Sequence, residues 1–154
     1  MSLQRSFTLT VVAAASFAAV LTTAAPSSAA ASTDQTAILA VVQNYGQAIS
    51  HGNSGAASCL PQAQITDDFP PHQWTSCAAW YKAFVASGVT DLKLNLGTPW
   101  HNDVSGNVAY VVIPAGFTLK MGGKTQTMQG AVWTFVMRKS NGSWHIAGWT
   151  WASH

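Results

Sequence analysis

Residues 130–149 read GAVWTFVMRKSNGSWHIAGW, and this stretch decides the fold. Before the turn, Ala131, Trp133 and Phe135 occupy alternate positions, so their side chains lie on one face of a strand. Asn141-Gly142 is a strong signal for a tight turn between two strands. Residues 124–139 and 143–152 are therefore predicted to form the two arms of an antiparallel hairpin.

The same period of two continues upstream of this hairpin. Leu92, Leu94 and Leu96 alternate with polar residues, and a longer strand is predicted over residues 108–121. Gly122-Gly123 joins that strand to the hairpin, and residues 103–107 are predicted to form the turn before it. The C-terminal part of the chain is thus predicted to be a four-stranded antiparallel meander.

The part between residues 32 and 88 has mostly helical periodicity. Three helices are predicted there: a long one opened by a polar cap at residues 32–35, a short one over residues 55–60, and one capped by Thr75 or Ser76. A short strand is predicted over residues 63–67, where Ile65 and Asp67 share a face. Helices packed on one face of an antiparallel sheet make an α+β fold.

Charged residues are few. They make up 8% of the chain, which contains no Glu, and the net charge is +2. Without a cluster of basic residues there is no electrostatic footprint for a nucleic acid or an acidic membrane surface. The five histidines do not fall at metal-ligand spacing and no phosphate-binding loop is present, so neither a metal nor a cofactor is expected.

Residues 1–31 have the composition of a secretory signal peptide. Arg5 precedes an apolar run over residues 7–21, and a segment of small residues with Pro26 follows. A membrane anchor needs about 20 apolar residues, so the run is too short. Cleavage is expected after Ala29, Ala30 or Ala31, and residues 32–154 are expected to form one secreted or periplasmic domain with no membrane attachment. The alternative is an uncleaved helix buried in the domain.

The only two cysteines, Cys59 and Cys77, lie in the predicted exported domain. An even number of cysteines in an oxidising compartment favours a disulfide. A pair of buried free thiols is the other interpretation, because the sequence does not give the distance between them.

The order of elements, ending in the strand, turn and strand of residues 130–149, is similar to the nuclear transport factor 2-like superfamily, and in particular to its SnoaL-like and ketosteroid isomerase-like members. The resemblance extends over residues 34–152. It implies a cone-shaped barrel made of a curved antiparallel meander sheet with three N-terminal helices. It does not imply one activity, because this fold hosts isomerases, dehydratases, cyclases, transport factors and non-catalytic binding domains.

Two residues resemble catalytic positions of ketosteroid isomerase. Tyr45, in the helix segment VVQNY, corresponds to the tyrosine that donates to the developing oxyanion, and Asp67, in the strand segment AQITD, corresponds to the general base. His72 follows closely and is a weaker acid–base candidate. Other roles stay open, because Asp is also a good turn residue and Tyr is also suited to core packing.

The chain departs from the isomerase at two places. Residues 131–134 contain no acid where that enzyme has its second oxyanion donor, a neutral aspartic acid. Phe84 stands where a supporting tyrosine is found. These departures argue against ketosteroid isomerisation itself.

Three functions remain open. The first is binding of a small apolar molecule in the cone, and the second is a cofactor-independent isomerase, dehydratase or cyclase that uses Asp67 and Tyr45. The third is a dimeric interaction module whose cavity is filled by its own side chains. The expected pocket residues are Asp68, Trp80, Phe84, Tyr110, Trp133 and Trp149. A homodimer packed sheet to sheet is also expected, because both faces of the last strands are rather apolar.

Overall fold

The computed structural model of the chain describes residues 28–68 and 71–153. Most of the predicted signal peptide falls on residues 1–27, which lie outside the described residues. The predicted break after the first strand falls partly on residues 69 and 70, which lie outside them as well. None of the described helices is long and apolar enough to cross a membrane.

Helix α1 spans Ser28–Ser50 and packs its apolar stripe against the sheet. The buried members of the stripe are Ile38, Val42, Tyr45 and Ile49. The cap predicted at residues 32–35 is wrong, because the helix runs through it. Asp34 instead accepts hydrogen bonds from Lys139 Nζ at 2.7 Å and Trp144 Nε1 at 2.9 Å, which join α1 to the last two strands.

The short helix predicted over residues 55–60 is also wrong. It is reduced to a 3₁₀ turn at Ala56–Ser58, and Cys59 already begins a strand. Pro61 does not end that strand. The pairing with the C-terminal strand is irregular between Cys59 and Gln64, so the backbone N–H that proline lacks is not needed there. The strand is therefore longer than predicted and ends at Asp68.

The sheet of the described chain has seven strands. They are β1 Cys59–Asp68, β2 Pro71–Trp74, β3 Val89–Leu96, β4 His101–Ser105, β5 Val108–Met121, β6 Lys124–Ser140 and β7 Ser143–Ala152. Their order is β2-β1-β7-β6-β5-β3, and β4 pairs with the first part of β5. The predicted meander is present, but the sheet is mixed, because β1 runs parallel to β7.

Strand β4 was not predicted, and its last three residues fall in the turn that was predicted over residues 103–107. Only Gly106 and Asn107 form that turn, and the residues before them pair with β5. The polar composition of β4 conceals its alternation, in which Asn102 and Val104 are half-buried. Asn102 also holds β4 against α1, since its Nδ2 donates to Gln35 O at 3.0 Å and its O accepts from Gln35 Nε2 at 2.7 Å.

Helix α2 spans Cys77–Ala86 and follows the predicted cap. The Oγ of Ser76 accepts a hydrogen bond from the backbone N of Ala79 at 3.1 Å. The disulfide Cys59–Cys77 is confirmed, with Cα atoms 6.5 Å apart. It ties the start of α2 to the start of β1.

Two irregularities set which residues face the helices. Gly130, at a φ of 79°, lies where β6 carries one extra residue opposite β5. A second shift lies between β6 and β7, next to Ala147. Without the shift, the even-numbered Trp144 and Ile146 would face the opposite side of the sheet from the odd-numbered Trp149 and Trp151. With it, all four side chains lie on the same buried face.

Candidate ligand cavity

A cavity of about 300 Å³ lies between α2 and the inner face of the sheet. Its wall is mainly apolar and comes from both α-helices and from every strand except β2 and β4. The lining residues are Ile49, Asp67, Asp68, Trp80, Phe84, Ser87, Val89, Leu92, Leu94, Phe117, Leu119, Met121, Gln126, Met128, Trp133, Trp149 and Trp151. The volume is at the lower end of the range for small-molecule sites.

Tryptophan rings make up the firmest part of this wall. Trp80 and Phe84, one helical turn apart on α2, stack with centroids 5.0 Å apart. The edge of this pair meets Trp149, whose ring centroid lies 4.9 Å from that of Trp80 at an interplanar angle of 84°. Trp133 stands across from Trp149 and Trp151 at 5.5 Å from each. Such edge-to-face contacts hold the rings in fixed orientations.

Asp67 lies on the wall near the end of β1. Ala63, Ile65 and Asp67 alternate along the strand, and the first two are buried, so the third is directed to the same inner face. Trp80 Nε1 donates to Asp67 Oδ2 at 3.0 Å. The hydrogen bond fixes a carboxylate at the edge of an apolar space, as the sequence predicted for this residue.

Asp68, the next residue, also contributes to the wall. Its Oδ2 accepts two hydrogen bonds from Ser153, one from the backbone N at 2.6 Å and one from Oγ at 2.5 Å. Its Oδ1 is buried and has no hydrogen-bond partner among the described residues. The two neighbouring carboxylates therefore lie at one end of the cavity, each held by neutral donors that the structure shows.

Tyr45 lies behind the wall rather than on it. Its side chain is fully buried, and its hydroxyl accepts a hydrogen bond from Trp149 Nε1 at 3.1 Å. A Cβ on Gly55, which has a φ of 63°, would overlap the Tyr45 ring, so only glycine fits there. Tyr45 does not line the cavity, and the structure does not bring its hydroxyl to the open space beside Asp67.

The pKa of Tyr45 is raised well above its ordinary value. Burial is the largest cause, the hydrogen bond from Trp149 acts in the opposite direction, and the negative charge of Asp67 raises the pKa further. The phenol therefore stays protonated. This agrees with a structural role, in which Tyr45 orients the Trp149 ring that does form the wall.

Five of the six predicted pocket residues line the cavity: Asp68, Trp80, Phe84, Trp133 and Trp149. Tyr110 is the exception and was wrongly placed. It is 46% exposed, because Ala109 and Val111 on either side of it point inward and the alternation of β5 turns Tyr110 to the outer face.

His72 is not on the cavity wall. It pairs with Asp67 in the register between β1 and β2, but its side chain is exposed and its ring packs on Trp74 at 4.6 Å. His72 and Asp67 lie opposite each other on adjacent strands, but only Asp67 lines the cavity. The structure thus places the His72 side chain outside the cavity, and its acid–base partnership with Asp67 stays a prediction.

Several wall residues were missed by the sequence analysis, among them Phe117, Leu119, Met121 and Trp151. The first three continue the inward-facing alternation of β5, in which Val111, Ile113 and Ala115 are buried, and this signal was visible in the sequence. Trp151 is the register partner of Trp133. Its position on the same face as Trp149 was the signal that could have found it.

A wider groove of about 1010 Å³ lies between α1 and β3. It is open to solvent and bordered by polar residues, including an ion pair between Lys120 Nζ and Asp91 Oδ2 at 2.8 Å. Leu92, Leu94 and Leu119 separate it from the inner cavity. The enclosed cavity is the better candidate site, because it combines apolar walls with convergent polar groups.

No group of three metal-ligating side chains occurs among residues 28–68 and 71–153.

The arrangement defines the chain as a protein with the nuclear transport factor 2-like fold, in which a curved sheet and helices enclose a cone-shaped cavity. No protein-family model and no curated protein sequence matches the chain. Solved structures do resemble it, at identities that show the fold alone.

One of these is a protein of unknown function from Mycobacterium tuberculosis, with a TM-score of 0.71 and 15% identity over 85% of this chain and 78% of the other. Another is a nuclear transport factor 2-like superfamily protein from Salmonella enterica, with a TM-score of 0.70 and 19% identity over 79% and 92%. A third is a hexachlorocyclohexane dehydrochlorinase, LinA type 2, with a TM-score of 0.70 and 11% identity over 79% and 86%.

Proposed function

We propose that this protein binds a small, mainly apolar molecule in the cavity walled by Trp80, Trp133, Trp149 and Trp151. The observation that carries the proposal is the cavity itself, since a fold stabilised only by its core would fill about 300 Å³ with side chains. The third hypothesis, a module whose cavity is filled by its own side chains, does not agree with this volume.

The size of the cavity limits the ligand. An engineered cavity of about 150 Å³ in another protein holds one benzene molecule. A space roughly twice as large suits a body of about two rings, and the flat indole faces favour an aromatic or otherwise planar one. The carboxylates of Asp67 and Asp68 at one end would orient a polar group of the ligand.

A fluorescent probe tests this function. 6-Acetyl-2-dimethylaminonaphthalene is neutral, has an apolar body of two fused rings and changes its emission in a dry site. Met121→Trp fills part of the cavity with an indole ring and should abolish the signal. Tyr110→Trp replaces a phenol by a larger ring on the outer face and should leave the signal unchanged. Thermal melts of both variants check that the fold is intact. Equal probe binding by both variants would refute the proposal.

A second candidate is an acid–base enzyme, which the position of Asp67 favours. Its carboxylate lies beside an apolar space and is held by Trp80, which is the arrangement that a general base for a carbon acid requires. The dehydrochlorinase that shares the fold supports the general idea of elimination or isomerisation in such a cone. Tyr45 is not part of this proposal as an oxyanion donor, because it lies behind the wall.

Deuterium exchange tests the catalytic candidate without knowledge of the substrate. The wild-type protein in D₂O should speed exchange of the α-protons of cyclic ketones that fit the cavity, as followed by NMR, and Asp67→Asn should remove this effect. Ketone binding without any exchange above the buffer rate would leave the binding function and discard the enzyme.

We also propose that the protein is exported and acts as a homodimer. The disulfide and the composition of residues 1–31 support export, since disulfides persist in oxidising compartments. N-terminal sequencing of the secreted protein should give a start at residue 30, 31 or 32. Start at residue 1 would contradict export by a cleaved signal.

An exposed apolar face on the outer side of the sheet supports the dimer, and its residues include Val108, Tyr110 and Val136.

A further inference from the structure

We propose that the molecule bound in the cavity carries a neutral hydrogen-bond acceptor, such as a carbonyl oxygen, and that the indole N–H of Trp133 binds this group. The inference rests on the proposed binding function and specifies both the ligand class and the residue that recognises it. It is carried by a buried donor on the cavity wall that has no hydrogen-bond partner in the described part of the chain.

Trp133 Nε1 is a buried donor without a partner. Among the described residues, three buried side-chain atoms lack a hydrogen-bond partner: Asp68 Oδ1, Asn102 Oδ1 and Trp133 Nε1. The first two are acceptors, whereas the indole N–H can only donate. Trp133 is 1% exposed, so its N–H is shielded from bulk water. Because buried polar groups in folded proteins are nearly always paired, an unpaired donor on a cavity wall indicates a partner that enters the cavity.

Three other buried indoles have acceptors within the protein. Trp80 Nε1 donates to a carboxylate at 3.0 Å, Trp144 Nε1 to another carboxylate at 2.9 Å, and Trp149 Nε1 to a phenol oxygen at 3.1 Å. These bonds join the rings to neighbouring elements of the fold. The Trp133 ring lies on the same cavity wall as two of them, and a bound molecule would supply the acceptor that its N–H lacks.

The rings around Trp133 hold its N–H in one orientation. Its ring centroid lies 4.6 Å from that of Phe135, 5.7 Å from that of Tyr45, and 5.5 Å from those of Trp149 and Trp151. A buried water molecule needs about two to four polar partners, and these four neighbours are aromatic rings. A ligand fits better, because its apolar body can pack on the rings while its acceptor meets the fixed N–H.

The acceptor is neutral because the wall offers no positive charge. No Lys, Arg or His side chain is among the described residues that line the cavity. One neutral N–H does not offset the cost of moving an anion from water into an apolar space. A carbonyl oxygen, an ether oxygen or a heteroaromatic nitrogen needs only one donor to regain a hydrogen bond. The ligand is therefore an uncharged, mainly apolar molecule that carries such a group.

A pair of compounds of nearly equal shape tests the inference. In 2-isopropenylnaphthalene a C=CH₂ group replaces the C=O group of 2-acetylnaphthalene, so only the second compound can accept a hydrogen bond. NMR follows the titration of ¹⁵N-labelled wild-type protein with each. The ketone should move the indole proton signal of Trp133 downfield, as a new hydrogen bond does, and the alkene should not. Binding of both compounds without this difference would overturn the inference and leave the binding function in place. If neither compound binds, and 6-acetyl-2-dimethylaminonaphthalene does not bind either, the binding function fails as well.

Phenylalanine variants separate the donor from the ring. Trp133→Phe removes the N–H, so the ketone should lose about fivefold or more in affinity relative to the alkene, as measured by displacement of the fluorescent probe. Trp151→Phe is the matched control, because it makes the same change on the same wall and should alter both affinities in equal measure. Equal losses of both compounds in Trp133→Phe would overturn the inference, since the ring would then shape the site without donating. If thermal melts show that Trp133→Phe does not fold, the wild-type NMR comparison decides.

Discussion

Trp80 Nε1 donates a hydrogen bond to Asp67 Oδ2 at 3.0 Å, and this contact joins α2 to the end of β1. The same indole stacks on Phe84 and meets the edge of Trp149. One side chain thus holds the carboxylate and forms part of the apolar wall beside it. The Cys59–Cys77 bridge joins the start of α2 to the start of β1, so the same two elements are linked a second time.

Replacement of Trp80 by Phe tests this contact. The variant keeps an aromatic ring and removes the N–H, so the half-buried Asp67 loses the hydrogen bond from residue 80. We expect a loss of about 1 kcal/mol in the free energy of unfolding, measured by urea denaturation. Trp100→Phe, at a side chain that is 60% exposed, should cost much less. Equal effects of the two substitutions would show that the hydrogen bond contributes nothing.

Removal of the disulfide should destabilise the domain. The bridge closes a loop with a sequence separation of 18 residues. The chain-entropy model predicts that the Cys59→Ser, Cys77→Ser double variant loses about 3 kcal/mol. Urea denaturation measures the loss, and mass spectrometry of the untreated protein should show no free thiol. An unchanged midpoint of unfolding would contradict the prediction.

The contact of Asp34 with Lys139 and Trp144 should make stability depend on pH. The hydrogen bond from Lys139, then that from Trp144, holds the pKa of Asp34 below its ordinary value of 3.8. Because the folded-state pKa is the lower one, the stabilisation is complete above the ordinary value and is lost as the pH falls through the folded-state pKa.

Asp34→Asn isolates this contribution. The variant should be less stable than the wild type at neutral pH, and the difference should shrink as the pH falls below 3.8. Thermal melts of both proteins across this range measure it. A difference that stays constant down to the lowest pH would show that the ionised carboxylate is not the stabilising form.

The outer face of the sheet predicts the oligomeric state. Tyr110 and Val136 are register partners on adjacent strands and are 46% and 45% exposed. A charge in the middle of a buried apolar interface is costly. Tyr110→Asp should therefore convert a dimer to a monomer in sedimentation measurements, while Tyr110→Phe should leave the dimer intact. A wild-type protein that sediments as a monomer would contradict the proposed dimer.

Local patterns were enough to predict much of the fold. The hairpin of β6 and β7 was predicted because Ala131, Trp133 and Phe135 occupy alternate positions and Asn141-Gly142 marks the turn. The parallel pairing of β1 with β7 joins segments distant in the chain, and no local pattern reports it. Strand β4 was missed because its side chains are mostly polar, so its sequence shows no apolar alternation. One of its inward-facing residues is Asn102, which is half-buried because it donates a hydrogen bond to Gln35 of α1.

The candidate site was predictable only in part, because local patterns report some of its residues and contacts between distant segments place the others. Asp67 could be placed by its shared face with Ile65, a property of the strand alone. The location of Tyr45 behind Trp149 depends on how deeply α1 packs on the sheet, which periodicity does not give. Tyr110 was misplaced because alternation states which residues share a face but not which face is the inner one.

The indole N–H resonances of the seven tryptophans test the central claim, binding inside the cavity, most directly. A titration of ¹⁵N-labelled protein with 6-acetyl-2-dimethylaminonaphthalene, a neutral apolar probe, should shift the signals of the cavity residues, Trp80, Trp133, Trp149 and Trp151. The signals of Trp100, which is exposed, and of Trp144, which packs beside Lys139, should stay in place. Unmoved cavity signals, or shifts confined to Trp100 and Trp144, would contradict the account.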